Sequence, residues 1–355
     1  MATLGKSVEA VSPRRIEGYP ADSRRFDWLA ILTSAWFIGG LFLDGWAHNH
    51  IPSLETFFTP WHGVLYSGFF SVAILMAVTQ YRNITKGYAW GRALPKGYFL
   101  SLVGVAIFFI GGVSDMLWHT ILGVEQNTEA LFSPPHMLLA ASGALFLAGP
   151  VRAAWSRKGV KGWADLGPAV LALTMLLSAF TFFSQYANVY ANPALYVVGN
   201  GKINDYFANF STIVNLLFPA AVTVGVLLFA LRRWRLPVGA ATFMLTVNAT
   251  LMVLMRFRFA SSYWPVILAA VVTGLLADVF IARLRPSVAN PLALRAFAFA
   301  VPFAQSLLAL AAIVLTHDQP LWWEVHMWLG VPFVAGVIGV GLSFLVAPPP
   351  VPAET

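Results

Sequence analysis

Aspartate, glutamate and histidine recur in one order at two places in this chain. The first copy runs Asp44-Gly-Trp-Ala-His48, then Glu55-Thr-Phe-Phe-Thr-Pro-Trp-His62; the second runs Asp115-Met-Leu-Trp-His119, then Glu129-Ala-Leu-Phe-Ser-Pro-Pro-His136. Both read D-x-x-x-H, a short gap, then E-x-[FL]-F-[ST]-P-x-H. Imidazole and carboxylate together suit zinc, iron, manganese or copper(II). The chain has no cysteine, which excludes a thiolate centre, a disulfide and a cysteine nucleophile.

The spacing says how each copy would assemble. Asp44 and His48 lie four apart, as do Asp115 and His119, so each pair shares one helical face. Thr59 and Ser133 are N-cap types, and the proline after each favours the first helical position. His62 and His136 are therefore expected in the first turn of the following helix. There the helix dipole disfavours imidazolium, and neutral imidazole is the metal-binding form. Each hairpin thus brings one Asp and two His together, with Glu55 or Glu129 as a supporting group or further ligand. The same residues could instead serve as a polar network between helices or a proton path. The motif recurs below a matching Phe-Ile-Gly-Gly at 37–40 and 109–112, so a tandem duplication is expected. The two copies are expected to face each other in one paired-metal centre, with ions about 3.5–4 Å apart.

The elements that must position these groups are membrane helices. The sequence is 58% hydrophobic and 10% charged, where soluble domains carry roughly 25% charged residues. Continuous apolar runs near the ~20 residues a bilayer requires predict an all-α, polytopic protein of about ten transmembrane helices: 27–46, 60–81, 97–119, 134–154, 165–187, 211–231, 237–255, 260–282, 293–316 and 323–346. Residues 1–26 are expected as a cytoplasmic tail, 27–346 as a single transmembrane domain, and 347–355 as a disordered tail. Hairpins 27–81 and 97–154 would carry the site, and 165–346 the other six helices.

The net charge of +7 reports topology rather than a nucleic-acid partner. With both termini cytoplasmic, 19 of the 22 Lys and Arg residues fall on the inner side, leaving Lys202, Arg256 and Arg258 outside. All seven histidines then lie at or near the outer ends of helices.

Other polar residues carry weaker signals. His317, Glu324 and His326 flank the last outer loop and are secondary ligand candidates; a solvated interfacial turn is the favoured account of them. Asp278 is read as a partner of Arg283. Met116, Met137 and Met327 adjoin site residues but fit packing. The polar stretch 188–210 is expected to cap the outer face.

Asp-x-x-x-His followed by Glu55-Thr-Phe-Phe-Thr-Pro-Trp-His62-Gly-Val-Leu-Tyr resembles the intramembrane metal motif of the C subunit of particulate methane and ammonia monooxygenases. The resemblance covers about 20 residues per copy. It implies copper on Asp44, His48 and His62, and on Asp115, His119 and His136, with iron, manganese or zinc as alternatives. It also implies oxygen-dependent oxidation of an apolar small molecule, other membrane subunits as partners beside the lipid bilayer, and a bacterial inner membrane with the site on the periplasmic side. A metal transporter or storage protein, or a non-catalytic subunit of a membrane complex, is the alternative.

Overall fold

The computed structural model describes residues 15–21, 23–51, 57–123, 127–192, 206–257, 263–316 and 323–349. The expected extreme termini, Glu55 and His317 lie outside these residues. Eleven α-helices follow in order: α1 Arg24–His50, α2 Pro60–Thr85, α3 Phe99–Leu122, α4 Pro134–Leu147, α5 Gly149–Ser156, α6 Gly162–Phe183, α7 Tyr206–Arg233, α8 Ala240–Arg256, α9 Trp264–Leu284, α10 Pro291–Thr316 and α11 Val325–Val346. Among the described residues extended pairing is limited to two isolated bridges.

Nine spans among the described residues are long and apolar enough to cross a membrane. The chain has the architecture of a polytopic membrane protein, since helices satisfy their own backbone in lipid. One of the nine joins α4 and α5 as Pro134–Ser156. Its break falls at Ala148, where Pro150 brings no N–H to the Phe146 carbonyl; the Ser101 hydroxyl donates there instead at 3.3 Å. The seventh expected span is shorter than foreseen. Helix α8 has 17 residues, about 25 Å at ~1.5 Å per residue, against a hydrocarbon core of ~30 Å.

Helices α1 and α2 pack along each other, as do α3 and α4. Glycine sets the closeness of the first pair. A Cβ on Gly40 would stand 2.6 Å from the Leu65 Cα, and one on Gly68 would stand 2.6 Å from the Phe37 Cα. Small residues at such crossings let backbones meet, which is how helices gain packing energy in lipid. Helix α6 packs on α1, α4 and α8, closing a wall beside both hairpins.

At the end of the bundle opposite the motifs, Asp27 is buried. It accepts from the Tyr98 hydroxyl at 2.7 Å and pairs with Arg157 at 2.5 Å. This contact joins the starts of α1 and α3 to the end of α5.

One sequence expectation is corrected. Asp278 does not turn to Arg283; its carboxylate accepts from the Ala241 and Thr242 amides at 3.2 and 3.0 Å, and from the Thr242 hydroxyl at 2.6 Å. It caps α8, satisfying amides that the first helical turn leaves open. Of the polar stretch 188–210, residues 193–205 lie outside the described residues. Residues Ala187 to Ala191 are buried, and the Val189 amide donates to the Asn215 carbonyl at 3.0 Å.

Candidate metal centres

The six motif residues come together as two groups of three: Asp44, His48 and His62, and Asp115, His119 and His136. Within each group, one donor atom per residue lies within 4.8 Å of the other two. The Asp and first His stand one turn apart near the end of α1 or α3, and the second His enters from the first turn of α2 or α4.

The two groups share a geometry. Asp44 Oδ2 stands 3.3 Å from His62 Nε2 and 3.8 Å from His48 Nε2. Asp115 Oδ1 stands 3.2 Å from His136 Nε2 and 3.3 Å from His119 Nε2. Each aspartate therefore presents one oxygen to two imidazole nitrogens. The paired rings lie 5.8 Å apart in the first group and 5.5 Å in the second, both tilted by 54°.

Backbone carbonyls fix which nitrogen carries the proton. His62 Nδ1 stands 2.6 Å from the Phe57 carbonyl, and His136 Nδ1 stands 2.6 Å from the Ala130 carbonyl. A carbonyl only accepts, so both Nδ1 atoms donate. In the neutral ring Nε2 then holds a lone pair, and that lone pair faces a carboxylate oxygen. Two acceptors at this distance require a cation or a proton between them. Metal-binding histidines typically donate their other N–H to such a carbonyl, which fixes the ring. Two ligands each ~2.0–2.1 Å from one ion stand about 3.3 Å apart at the tetrahedral angle, and three of the four Asp–His separations match. Asp44 Oδ1 is buried with no hydrogen-bond partner among the described residues. The donor sets fit a metal ion.

The capping differs between copies. Thr59 accepts from the His62 amide at 3.1 Å, as its position predicts. Ser133 instead turns its hydroxyl to His136 Nδ1 at 2.8 Å. That imidazole therefore meets both Ser133 and the Ala130 carbonyl.

Both groups line one cavity of about 510 Å³. The six residues form two donor sets that share this cavity. The Phe57 ring lies 5.0 Å from that of His62 and 6.3 Å from that of His119, so one aromatic ring neighbours both sets. Tyr66 lines the same cavity with its hydroxyl buried and unpartnered among the described residues. Below the ligands the wall is apolar, built by residues such as Phe37, Phe108, Leu139 and Phe182; around them stand Asn49, Gln185, Asn192 and Arg256.

The remaining candidates fall outside this constellation. Glu129 is exposed on the short 3-10 turn Asn127–Leu131, and its neighbours Thr128 and Ala130 line the cavity while it does not. Glu324 and His326 form an exposed pair at 3.4 Å at the start of α11, away from the cavity lining. His50 stacks on Trp46 and faces the Trp46 carbonyl at 2.8 Å. Sequence reasoning missed Tyr66 and Arg256 as cavity residues. The only available signal was that Arg256 is one of three basic residues on the minority side of the charge split.

Fold and site thus define a membrane-type helical bundle with two histidine–aspartate clusters able to hold metal. No family model, no curated protein and no solved structure matches the chain.

Proposed function

We propose that this chain is an integral membrane metalloenzyme. It holds one transition-metal ion in each Asp-His-His set and oxidises an apolar small molecule with dioxygen in the shared cavity. The observation that carries the reading is the facing of Nε2 lone pairs and carboxylate oxygens beside a cavity of substrate size. Such pockets typically span ~300–1,000 Å³ and are mostly apolar with a few placed polar groups.

Three protein ligands leave open positions, the mark of a reactive rather than a purely structural site. Two histidines and one carboxylate suit non-haem iron(II), while the motif's resemblance to the monooxygenase C subunit favours copper; manganese and zinc fit the same donors. When bound, the metal would supply dioxygen activation and Lewis acidity. The chain's own residues do the rest. The Phe57 and Ala130 carbonyls hold the His62 and His136 rings in the metal-binding tautomer. Asp44 and Asp115 offset cationic charge. The apolar wall excludes water and admits an apolar substrate, and the Tyr66 hydroxyl is placed to hold a proton at the cavity surface.

The asymmetry of basic residues supports cytoplasmic termini and a periplasmic site in a bacterial inner membrane. Duplication of one hairpin accounts for the paired motifs.

The test is metal analysis of the purified protein, followed by oxygen uptake and product analysis with a reductant and a panel of small apolar substrates. Substrate-dependent uptake that is lost in His62→Ala or His136→Ala supports the reading. Metal-dependent flux across vesicles without oxygen uptake would replace it with transport, and bound metal with neither activity would replace it with storage.

A further inference from the structure

The cavity has one charged feature that its metal ligands do not use. Arg256 ends α8 and lines the cavity, and its guanidinium donates to the Asn49 side chain. Asn49 is anchored in turn, donating to the Gly45 carbonyl at 2.7 Å. Arg256 is thus held by a neutral amide, and among the described residues it has no carboxylate partner. Among the described residues, the charged side chains lining the cavity are Asp44, Asp115 and Arg256. Each aspartate faces two imidazoles, and a divalent ion in each set would leave both sets net cationic. The cavity would then attract an anion.

The rest of the cavity is a shaft. Along α1 its lining runs from Asn49 through His48 and Asp44 to Leu41 and Phe37, about 18 Å at ~1.5 Å per residue. Polarity falls in one direction along that path, from guanidinium and amide, past the ligands, to aromatic rings. Gly143 opens the deep part: a Cβ there would meet nothing nearer than the Phe37 ring at 3.9 Å.

We infer that the cavity binds a single-chain anionic amphiphile, its headgroup on Arg256 and its alkyl chain along the apolar wall past both donor sets. Guanidinium is suited to carboxylate and phosphate, and the graded wall suits a chain rather than a compact polar metabolite. This narrows the apolar substrate of the proposed function to the alkyl chain of a molecule with an anionic end in the same cavity, and it rests on that reading.

The probe is dodecanoic acid carrying a photoreactive diazirine near its methyl end, compared with the matching dodecanol. The full-length protein is used in a neutral maltoside detergent, and metal is measured on the same preparation. The acid should label the wall around Phe108 and Leu139 about tenfold more than the alcohol, the size expected of one charge-assisted hydrogen bond. Arg256→Gln should erase that preference and Arg256→Lys retain most of it. Gly143→Leu should remove wall labelling by both probes with metal content unchanged. Displacement of the probe by lysophosphatidylglycerol assigns the headgroup to a single-chain membrane lipid; displacement by dodecanoate alone assigns it to a free acid. Equal labelling by acid and alcohol, an unchanged preference in Arg256→Gln, or labelling confined to lipid-facing residues overturns the inference. Metal without selective labelling removes this inference alone, and selective labelling without metal removes the metal reading alone.

Discussion

His136 donates from Nδ1 to the Ala130 carbonyl at 2.6 Å, and this one contact turns its other nitrogen onto Asp115. The Phe57 carbonyl does the same for His62 and Asp44. In both hairpins the residue that orients the ring lies in the segment just before the helix that carries it. The tautomer is therefore set locally, by the chain's entry into α2 or α4.

The two sets differ in access. The His48 side chain is 33% exposed, whereas that of His119 is 3% exposed. Metal in the Asp44 set should therefore exchange with a soluble chelator first. A time course of chelation should be biphasic, and His48→Ala should abolish the fast phase. A single phase unaffected by that change would contradict the difference in access.

Acid should strip the metal. Each set uses two imidazoles that must be unprotonated at Nε2 to bind, so protons compete directly with the ion. Metal affinity is expected to fall as pH falls, approaching about two protons per ion when both imidazoles titrate. Metal retained in full at a pH where histidine is protonated in water would argue for ligands other than these.

Much of this was legible in the sequence. Composition alone dictates membrane helices, because no soluble fold tolerates such continuous apolar runs. The spacing of Asp44, His48 and His62, repeated in Asp115, His119 and His136, is a statement about helical faces and first turns, which are local. What escaped depends on contacts between remote segments. The Phe57 ring neighbours a histidine of each set, yet it looks like any aromatic in a loop. Asp278 lies five residues from Arg283, but the open amides of α8 hold its carboxylate more effectively than an exposed cation does. Ser133 is an N-cap by type and position, and only the orientation of the His136 ring draws its hydroxyl away.

Topology can be tested independently. Nineteen of 22 basic residues lie on one side if the termini are cytoplasmic. Cysteine introduced into this cysteine-free chain at Lys86 or Lys158 should resist an impermeant thiol reagent in intact cells, and one at Tyr206 should react. The reverse pattern would move the metal sites to the cytoplasmic face.

The buried Asp27–Arg157 pair should matter for stability and not for metal. Removing one partner leaves the other charge buried, which typically costs ~3–5 kcal/mol. Arg157→Leu should lower the thermal unfolding midpoint clearly, with metal content per folded protein unchanged. A variant as stable as the parent would mean that water or another group compensates the carboxylate.

The central claim is that Asp44, His48 and His62 bind one metal ion and Asp115, His119 and His136 bind another. Its most direct test is metal stoichiometry of the purified protein and of three variants: His62→Ala, His136→Ala and the double change. The parent should hold about two ions, each single variant about one, and the double variant close to none, because each loses one of three protein ligands. Equal metal content in the parent and the double variant would contradict the account.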